Sequence, residues 1–119
     1  MRTIAVVDDN SSMLQSLNRL LSAHGFGVLT FASAELLLDD IASCEAECLV
    51  LDIHLSGMSG IDLQRQLISS GRDLPVIFMT AVDNEIIRKA ASDTGCVAYL
   101  KKPFLAKVLI DAINGAIGG

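Results

Sequence analysis

Short apolar segments rich in β-branched residues alternate along the chain with longer segments whose apolar residues recur every three or four positions. The short segments predict five strands, at residues 3–7, 28–31, 48–51, 76–79 and 97–100. The third and fourth are apolar throughout, which is typical of strands covered on both faces. Strand-then-helix units repeated in this way predict an α/β fold, in which a parallel sheet lies between two layers of helices.

The segments that follow the strands have the spacing of amphipathic helices. The buried stripe of the first helix is predicted to consist of Met13, Leu14, Leu17, Leu20 and Leu21. Ser11 or Ser12 is available to cap this helix, and Gly25 to end it. The second and third helices are predicted around residues 33–42 and 60–70, and the fourth, marked by apolar residues between positions 86 and 91, ends at Gly95. The fifth helix has a stripe made up of Leu105, Val108, Leu109, Ala112, Ile113 and Ala116.

The composition fits one domain with an aliphatic core. Of the 119 residues, 51% are hydrophobic and 4% are aromatic, so Leu, Ile, Val and Ala have to fill the space between sheet and helices. No internal repeat divides the sequence, and the one segment that resembles a linker is short, at residues 56–60. We therefore expect a single domain over residues 1–119.

The net charge limits which partners the protein can bind, and the N-terminal sequence limits where in the cell it is expected. A formal net charge of −5 disfavours direct contact with nucleic acid or an anionic membrane surface, because both require clustered Lys and Arg. No apolar run approaches the roughly 18 residues of a membrane span, and the first strand follows Met1-Arg2 without a secretory signal. We expect a cytoplasmic protein whose cysteines, Cys44, Cys48 and Cys96, are free thiols without metal.

Chemically reactive side chains follow four of the predicted strands. The first strand is followed by Asp8-Asp9, the third by Asp52, the fourth by Thr80 and the fifth by Lys101-Lys102. Ligands of open parallel sheets bind at the carboxyl ends of the strands. Three carboxylates gathered there repel one another unless a cation neutralises them, and oxygen ligands suit Mg²⁺. The sequence therefore predicts a divalent metal site at this edge of the sheet.

Each of these residues also has an ordinary structural interpretation. Asp8 and Asp9 fit turn or helix-capping positions, and Asp52 taken alone fits the same description. Thr80 fits a strand end, and Lys102 fits a solvated charge beside its neighbour. The combination favours a site, because an acid pair, a single Asp, a hydroxyl and a Lys fall at different strand ends of one short chain.

Five motifs carry a resemblance to a known family. They are V-V-D-D-N at positions 6–10, L-V-L-D-I at 49–53, G-M-S-G at 57–60, F-M-T-A at 78–81 and Y-L-K-K-P-F at 99–104. In order and spacing the chain resembles the receiver domain of two-component response regulators, and most strongly receivers that precede a LuxR-type helix-turn-helix output domain. The resemblance implies a flavodoxin-like (βα)5 three-layer sandwich, whose five-stranded parallel sheet has the order 2-1-3-4-5.

The resemblance also implies a role for each matched residue. Asp52 is the phosphoacceptor, and it binds Mg²⁺ together with Asp9 and the backbone carbonyl of His54. Asp8 completes the acidic pocket through a metal-bound water or through the site lysine. That lysine is Lys102, because the family's lysine directly precedes a proline, usually across a cis peptide bond.

Further residues are implied to act on the phosphoryl group. Thr80, the backbone N–H of Ala81 and Lys102 are expected to stabilise it, because phosphoryl transfer depends on positive charge and donors around its oxygens. With Thr80, Tyr99 is implied as a switch that turns inward after phosphorylation, the alternative being a partly exposed core tyrosine. Ser56 stands where most receivers have proline, so the loop before the third helix is expected to be less rigid.

The implied reaction brings a phosphoryl group to Asp52 from a phosphohistidine on a sensor histidine kinase, or from acetyl phosphate, and water later removes it. The chain is then a signalling domain that acts only on itself, and not an enzyme for other molecules. The resemblance leaves open both a C-terminal DNA-binding output domain outside this chain and a stand-alone receiver, and it allows a homodimer formed on phosphorylation. Direct contact with nucleic acid or membrane is not expected.

Three alternatives are weaker. A Mg²⁺-dependent aspartyl-phosphate phosphatase requires an acid where His54 stands, and an insertion that covers its substrate. A receiver-like interaction module that works without phosphorylation does not require the full set of site residues, which this chain has. A flavodoxin-like nucleotide-binding protein requires a glycine-rich loop after the first strand, which is missing.

Overall fold

Five strands alternate with five helices in the part of the chain that the computed structural model describes, residues 2–118. In chain order they are β1 (Thr3–Val7), α1 (Ser11–Ala23), β2 (Gly27–Phe31), α2 (Ala34–Asp40), β3 (Cys48–Asp52), α3 (Gly60–Ser69), β4 (Val76–Thr80), α4 (Glu85–Asp93), β5 (Ala98–Lys101) and α5 (Ala106–Ala116). The predicted strands are confirmed to within one residue at each end. Of the expected domain, Met1 and Gly119 lie outside the described residues.

The strands form one parallel sheet in the order β2-β1-β3-β4-β5. This order confirms the flavodoxin-like α/β fold. The chain first moves outward from β1 to β2 and then returns across β1 to β3, so the direction of winding reverses between β1 and β3. The carboxyl ends of these two strands flank the crevice in which ligands of such sheets bind.

Alternate side chains of the strands enter two separate cores, one on each face of the sheet. On one face Val7 of β1 packs with Leu37 of α2 and Leu63 of α3, and α4 also belongs to this layer. On the other face Val6 packs with residues of α1 and α5. Every residue of β3 and β4 is buried, as their continuous apolar sequences predict. The molecule is therefore a three-layer sandwich.

The N-cap of α1 differs from the prediction. Asn10 has an extended backbone, and its side-chain oxygen accepts a hydrogen bond from the Met13 N–H at 3.0 Å, so the helix begins at Ser11. The prediction of a serine cap is wrong because the Asn10 amide makes the same bond one residue earlier. Gly25 and Gly95 have φ angles of +86° and +76° and follow α1 and α4, which confirms both predicted helix ends.

Two other helices depart from their predicted pattern. The second predicted helix ends early, at Asp40, because the Ile41 N–H bonds three residues back to the Leu38 carbonyl and tightens the last turn. In α5 the predicted stripe is wrong at Leu105 and Val108, whose exposed fractions are 74% and 43%. Leu105 precedes the first helical residue, and Val108 lies about 100° around the helix from the buried position that follows it.

The cysteines are as the sequence predicts. All three cysteines are free thiols. Burial raises the pKa of the Cys48 thiol to about 12, so this side chain stays protonated at neutral pH. Within residues 2–118, no helix combines the length and the apolar content needed to cross a bilayer.

Candidate functional site

The candidate site lies where the three central strands end. Asp8 follows β1 directly, Asp52 is the last residue of β3, and Thr80 is the last residue of β4. The strands hold these positions together because Val7 is in register with Leu51, and Asp52 with the residue before Thr80. The acid pair and the single acid are therefore neighbours across two adjacent strands, although more than forty residues separate them in the sequence.

Three carboxylates meet at this edge. Asp8, Asp9 and Asp52 each offer one oxygen, and these oxygens lie within 4.8 Å of one another. Asp8 is fully buried and Asp52 nearly so, whereas Asp9 is exposed. The backbone holds the two buried acids in place, since the Asn10 N–H donates to Asp8 Oδ1 at 2.9 Å and the His54 N–H donates to Asp52 Oδ1 at 3.3 Å.

Lys102 contacts both buried acids. Its ammonium lies 2.8 Å from Asp8 Oδ2 and 3.4 Å from Asp52 Oδ2. Burial alone would lower the pKa of Lys102, but the hydrogen bond to Asp8 and the two negative charges raise it above its ordinary value. The ammonium is therefore charged at neutral pH, and the alternative of a merely solvated lysine is excluded by these contacts. The peptide bond from Lys102 to Pro103 is cis, as the resemblance implies.

Asp52 carries an unfavourable negative charge. Its pKa is raised above the ordinary value, first by burial and then by repulsion from Asp8, and the nearby Lys102 offsets only part of this. Three carboxylates and one ammonium leave two formal negative charges in the cluster. Oxygen ligands with this charge fit a hard divalent cation. The cluster is consistent with the metal site that the sequence predicts.

Thr80 is fully buried, and its hydroxyl is turned along its own chain. Oγ1 donates to the Val82 carbonyl at 2.6 Å and accepts from the Val82 N–H at 3.0 Å. The hydroxyl is thus engaged by the backbone of the β4–α4 loop, while its residue stands at the same sheet edge as Asp52. A ligand at that edge would have to compete with Val82 for this hydroxyl.

Tyr99 is half-buried on β5 and tied to α4. Its hydroxyl donates to Asp83 Oδ1 at 3.2 Å, and Arg88 pairs with the other oxygen of Asp83 at 2.6 Å. The Arg88 guanidinium also lies over the Tyr99 ring, 5.7 Å from its centre. Burial and then the hydrogen bond to Asp83 raise the pKa of Tyr99, whereas the bond from Arg88 lowers the pKa of Asp83.

An open cavity borders Lys102, the residue that contacts both buried acids. It has a volume of about 530 Å³ and is lined by Met13, Ala81, Lys102, Pro103 and Phe104. Ala81 is exposed. The structure therefore brings the predicted Ala81 and Lys102 to one concave surface beside the acid cluster.

The loop between β3 and α3 packs closely on Asp52. A Cβ added at Gly60 would overlap the backbone carbonyl of Asp52, and the Gly60 N–H donates to the Ile53 carbonyl at 3.0 Å. Only a glycine therefore allows α3 to begin this close to the end of β3. His54 lies in this loop with an exposed side chain, and its N–H is the group that contacts the cluster.

Sequence reasoning missed two contacts that hold this loop. The backbone N–H and the hydroxyl of Ser56 both donate to Asp9 Oδ2, at 3.1 Å and 3.2 Å. Glu35 of α2 accepts from the Met58 N–H at 3.0 Å, which lowers the pKa of that glutamate. No local signal reveals either contact, because the partners are 47 and 23 residues apart. The nearest hint is the serine at position 56, where the resemblance implies proline, because serine offers donors that proline lacks.

The profile of the family described as the response regulator receiver domain matches residues 4–114. Among curated proteins, the transcriptional regulatory protein TdiR of Thauera aromatica is 38% identical over 115 residues, which are 97% of this chain and 51% of TdiR. The chain spans about half the length of the curated relatives it matches.

Solved structures agree with the profile. A response regulator receiver protein from Burkholderia phymatum is 35% identical, with a TM-score of 0.87 over 99% of this chain and 96% of that one. A BeF3-activated DrrB receiver domain is 26% identical, with a TM-score of 0.89 over 100% and 99% of the two chains. With the family profile covering most of the sequence and these structures covering nearly all of the fold, the chain belongs to the response regulator receiver domain family.

Proposed function

We propose that this receiver accepts a phosphoryl group on Asp52 from a phosphohistidine of a sensor histidine kinase. The observation that carries the proposal is the position of Asp52, which is nearly buried, 3.4 Å from the Lys102 ammonium and within 4.8 Å of two other acids. An ordinary structural aspartate gains nothing from such crowding. A carboxylate that has to attack phosphorus gains a charged surrounding, which stabilises the transferring group.

The chemistry follows from the side chains around Asp52. One carboxylate oxygen attacks phosphorus in line, a P–O bond forms, the P–N bond of the donor breaks, and the imidazole nitrogen keeps the electron pair. Lys102 then neutralises one phosphoryl oxygen, and the Ala81 N–H and the Thr80 hydroxyl donate to the others. Water later hydrolyses the resulting acyl phosphate, which returns the carboxylate and releases inorganic phosphate. The domain acts on itself and turns over no other substrate.

A divalent cation belongs to this proposal, and Mg²⁺ is the cation that oxygen ligands of this kind prefer. Asp9, Asp52 and the backbone carbonyl of His54 would hold it, with Asp8 acting through a bound water. When bound, it supplies positive charge that offsets the repulsion within the cluster and on the incoming phosphoryl group. The charge balance of the cluster supports this assignment, because two negative charges remain after Lys102 neutralises one of the three.

Thr80 and Tyr99 form the proposed switch. In the structure the Thr80 hydroxyl bonds to Val82, and the next residue, Asp83, holds the Tyr99 hydroxyl. If the Thr80 hydroxyl turns to a phosphoryl oxygen, its hydrogen bonds with Val82 break. The adjacent hydrogen bond from Tyr99 to Asp83 then weakens. Phosphorylation thereby changes the balance between two arrangements of the surface formed by α4 and β5.

The wider context is also proposed. Residues 1–119 act as a single receiver domain in the cytoplasm, and the whole protein carries a C-terminal DNA-binding output domain that regulates transcription. The relative TdiR, a transcriptional regulatory protein about twice as long as the matched region, supports this. A homodimer formed on phosphorylation would couple the two domains. The net charge of −5 supports an output that reaches DNA through another domain.

Beryllofluoride with Mg²⁺ tests the proposal without a kinase, because it occupies the place of a phosphoryl group on an aspartate. We expect NMR shifts at Thr80 and Tyr99 in the wild type and none in Asp52→Asn. Tyr99 also reports by fluorescence, since the chain has one tyrosine and no tryptophan. An unchanged spectrum of a folded wild-type protein would instead support an interaction module that works without phosphorylation.

A further inference from the structure

Ser56 makes a paired contact with the most exposed acid of the site. Its backbone N–H lies 3.1 Å and its hydroxyl 3.2 Å from Asp9 Oδ2, so one carboxylate oxygen accepts two hydrogen bonds from one residue. Among the described residues, no hydrogen bond reaches the other oxygen, Oδ1 of Asp9. The two oxygens of this carboxylate therefore have different surroundings.

Within residues 2–118, only Ser56 donates hydrogen bonds to the Asp9 carboxylate, which lies beside two other acids. Asp8 and Asp52 share the Lys102 ammonium, which makes no ion pair with Asp9 within the described residues. An exposed carboxylate next to two others would rotate or swing into solvent. Two donors on Oδ2 restrict that motion and leave Oδ1 without a hydrogen bond from the described residues.

We propose that Ser56 is a positioning residue for the metal site, which fixes Asp9 so that Oδ1 is presented to the divalent cation while Oδ2 stays on Ser56. The inference rests on the proposed function, and it assigns a role to the position at which this chain departs from its family. A proline at position 56 would have neither the backbone N–H nor the hydroxyl. The orientation of Asp9 is therefore specified here by hydrogen bonds that a proline-containing loop does not form.

Preorganisation gives the sign of the effect. If the hydrogen bonds to Oδ2 persist when Mg²⁺ binds, removing one of them raises the cost of ordering Asp9 and weakens binding. One hydrogen bond at an exposed site corresponds to about a two- to fivefold change in the dissociation constant. If the cation instead had to pull Oδ2 away from Ser56, the same substitution would tighten binding.

The experiment is a titration of the chain with MgCl₂, followed by calorimetry and by Tyr99 fluorescence. We expect Ser56→Ala to weaken Mg²⁺ binding about two- to fivefold, and Ser56→Thr, which keeps both donors, to bind like the wild type. Ser59→Ala is the matched control, because Ser59 caps α3 in the same loop without contacting Asp9. It is expected to lower stability and to leave the Mg²⁺ affinity unchanged.

Amide exchange reports directly on the hydrogen bond from the Ser56 N–H to Asp9. We expect the Ser56 amide proton to stay protected when Mg²⁺ is added, and to exchange several-fold faster in Asp9→Ala. Equal affinities of wild type and Ser56→Ala, tighter binding by Ser56→Ala, or loss of Ser56 protection on adding Mg²⁺ would each overturn the positioning role. A wild type that binds no Mg²⁺ at all would overturn the proposed function itself, so the two failures are distinguishable.

Discussion

Replacing Asp52 with asparagine is expected to stabilise the metal-free protein, although it destroys the proposed acceptor. The substitution keeps the size of the side chain and an oxygen that can accept from the His54 N–H. It removes a buried negative charge that is repelled by Asp8 and Asp9. It also removes the attraction to Lys102, so the sign depends on which contribution is larger.

The distances between the charged groups and the burial of Asp52 decide the sign of the stability change. At an effective dielectric constant of about 20, two like charges 4.8 Å apart repel by about 3.5 kcal/mol, and Asp52 has two such neighbours. Attraction to Lys102 at 3.4 Å offsets about 5 kcal/mol of this. Solvent around exposed Asp9 weakens its share of the repulsion, but burial of the Asp52 charge, the largest cause of its raised pKa, adds to the cost, which leaves roughly 1–2 kcal/mol.

Urea denaturation followed by circular dichroism measures this difference. In EDTA near neutral pH, we expect Asp52→Asn to unfold at a urea concentration about 0.5–1 M higher than the wild type. Mg²⁺ at ten times its dissociation constant should then stabilise the wild type by about 1.4 kcal/mol and close most of the gap. Asp73→Asn removes an exposed charge outside the cluster and serves as the control, with no comparable effect.

Two results would refute the electrostatic reasoning. One is a wild type that is more stable than Asp52→Asn in EDTA, which would mean that Lys102 and the backbone donors overcompensate the repulsion. The other is an equal stabilisation of both proteins by Mg²⁺, which would mean that the cation binds away from Asp52.

Three further outcomes follow from the same geometry. Gly60→Ala would press a methyl group against the Asp52 carbonyl, so the free energy of unfolding should fall by about 1–3 kcal/mol and phosphorylation by acetyl phosphate should slow. Gly115→Ala, in open space on α5, should instead stabilise the protein, and equal effects of the two substitutions would contradict the close approach at Gly60. Asp83→Asn removes a negative charge beside Tyr99, so a spectrophotometric titration should give a lower pKa for that tyrosine than in the wild type, and an unchanged pKa would count against the contact. Because the folded-state pKa of Asp52 is raised, the wild type in EDTA should lose stability relative to Asp52→Asn as pH rises from the ordinary aspartate pKa through the raised one. A stability difference between the two proteins that does not grow with pH would contradict the raised pKa.

The fold was predictable because the local sequence of each strand indicates that strand. The continuous apolar residues of β3 and β4 indicate burial on both faces, and a glycine marks the end of α1 and of α4. Periodicity alone does not give the order of the strands, which came from the resemblance. It also failed for Leu105, because spacing does not reveal that the helix begins one residue later.

The candidate site was predictable to the extent that its residues follow strands. Asp8, Asp52 and Lys102 come together because the register of a parallel sheet aligns strand ends, and this can be inferred from sequence. Contacts made by loops cannot, since their geometry depends on tertiary packing. The hydrogen bonds from Ser56 to Asp9 are of this kind, so only the structure reveals them.

The central claim is that Asp52 becomes phosphorylated, and borohydride reduction tests it directly. The chain is incubated with acetyl phosphate and Mg²⁺, and the reductant converts an aspartyl phosphate into homoserine, which peptide mass spectrometry locates. We predict homoserine in place of Asp52 alone, and none when EDTA replaces Mg²⁺. Homoserine at another aspartate, or none in the presence of Mg²⁺ with a phosphorylated control receiver beside it, would contradict the account.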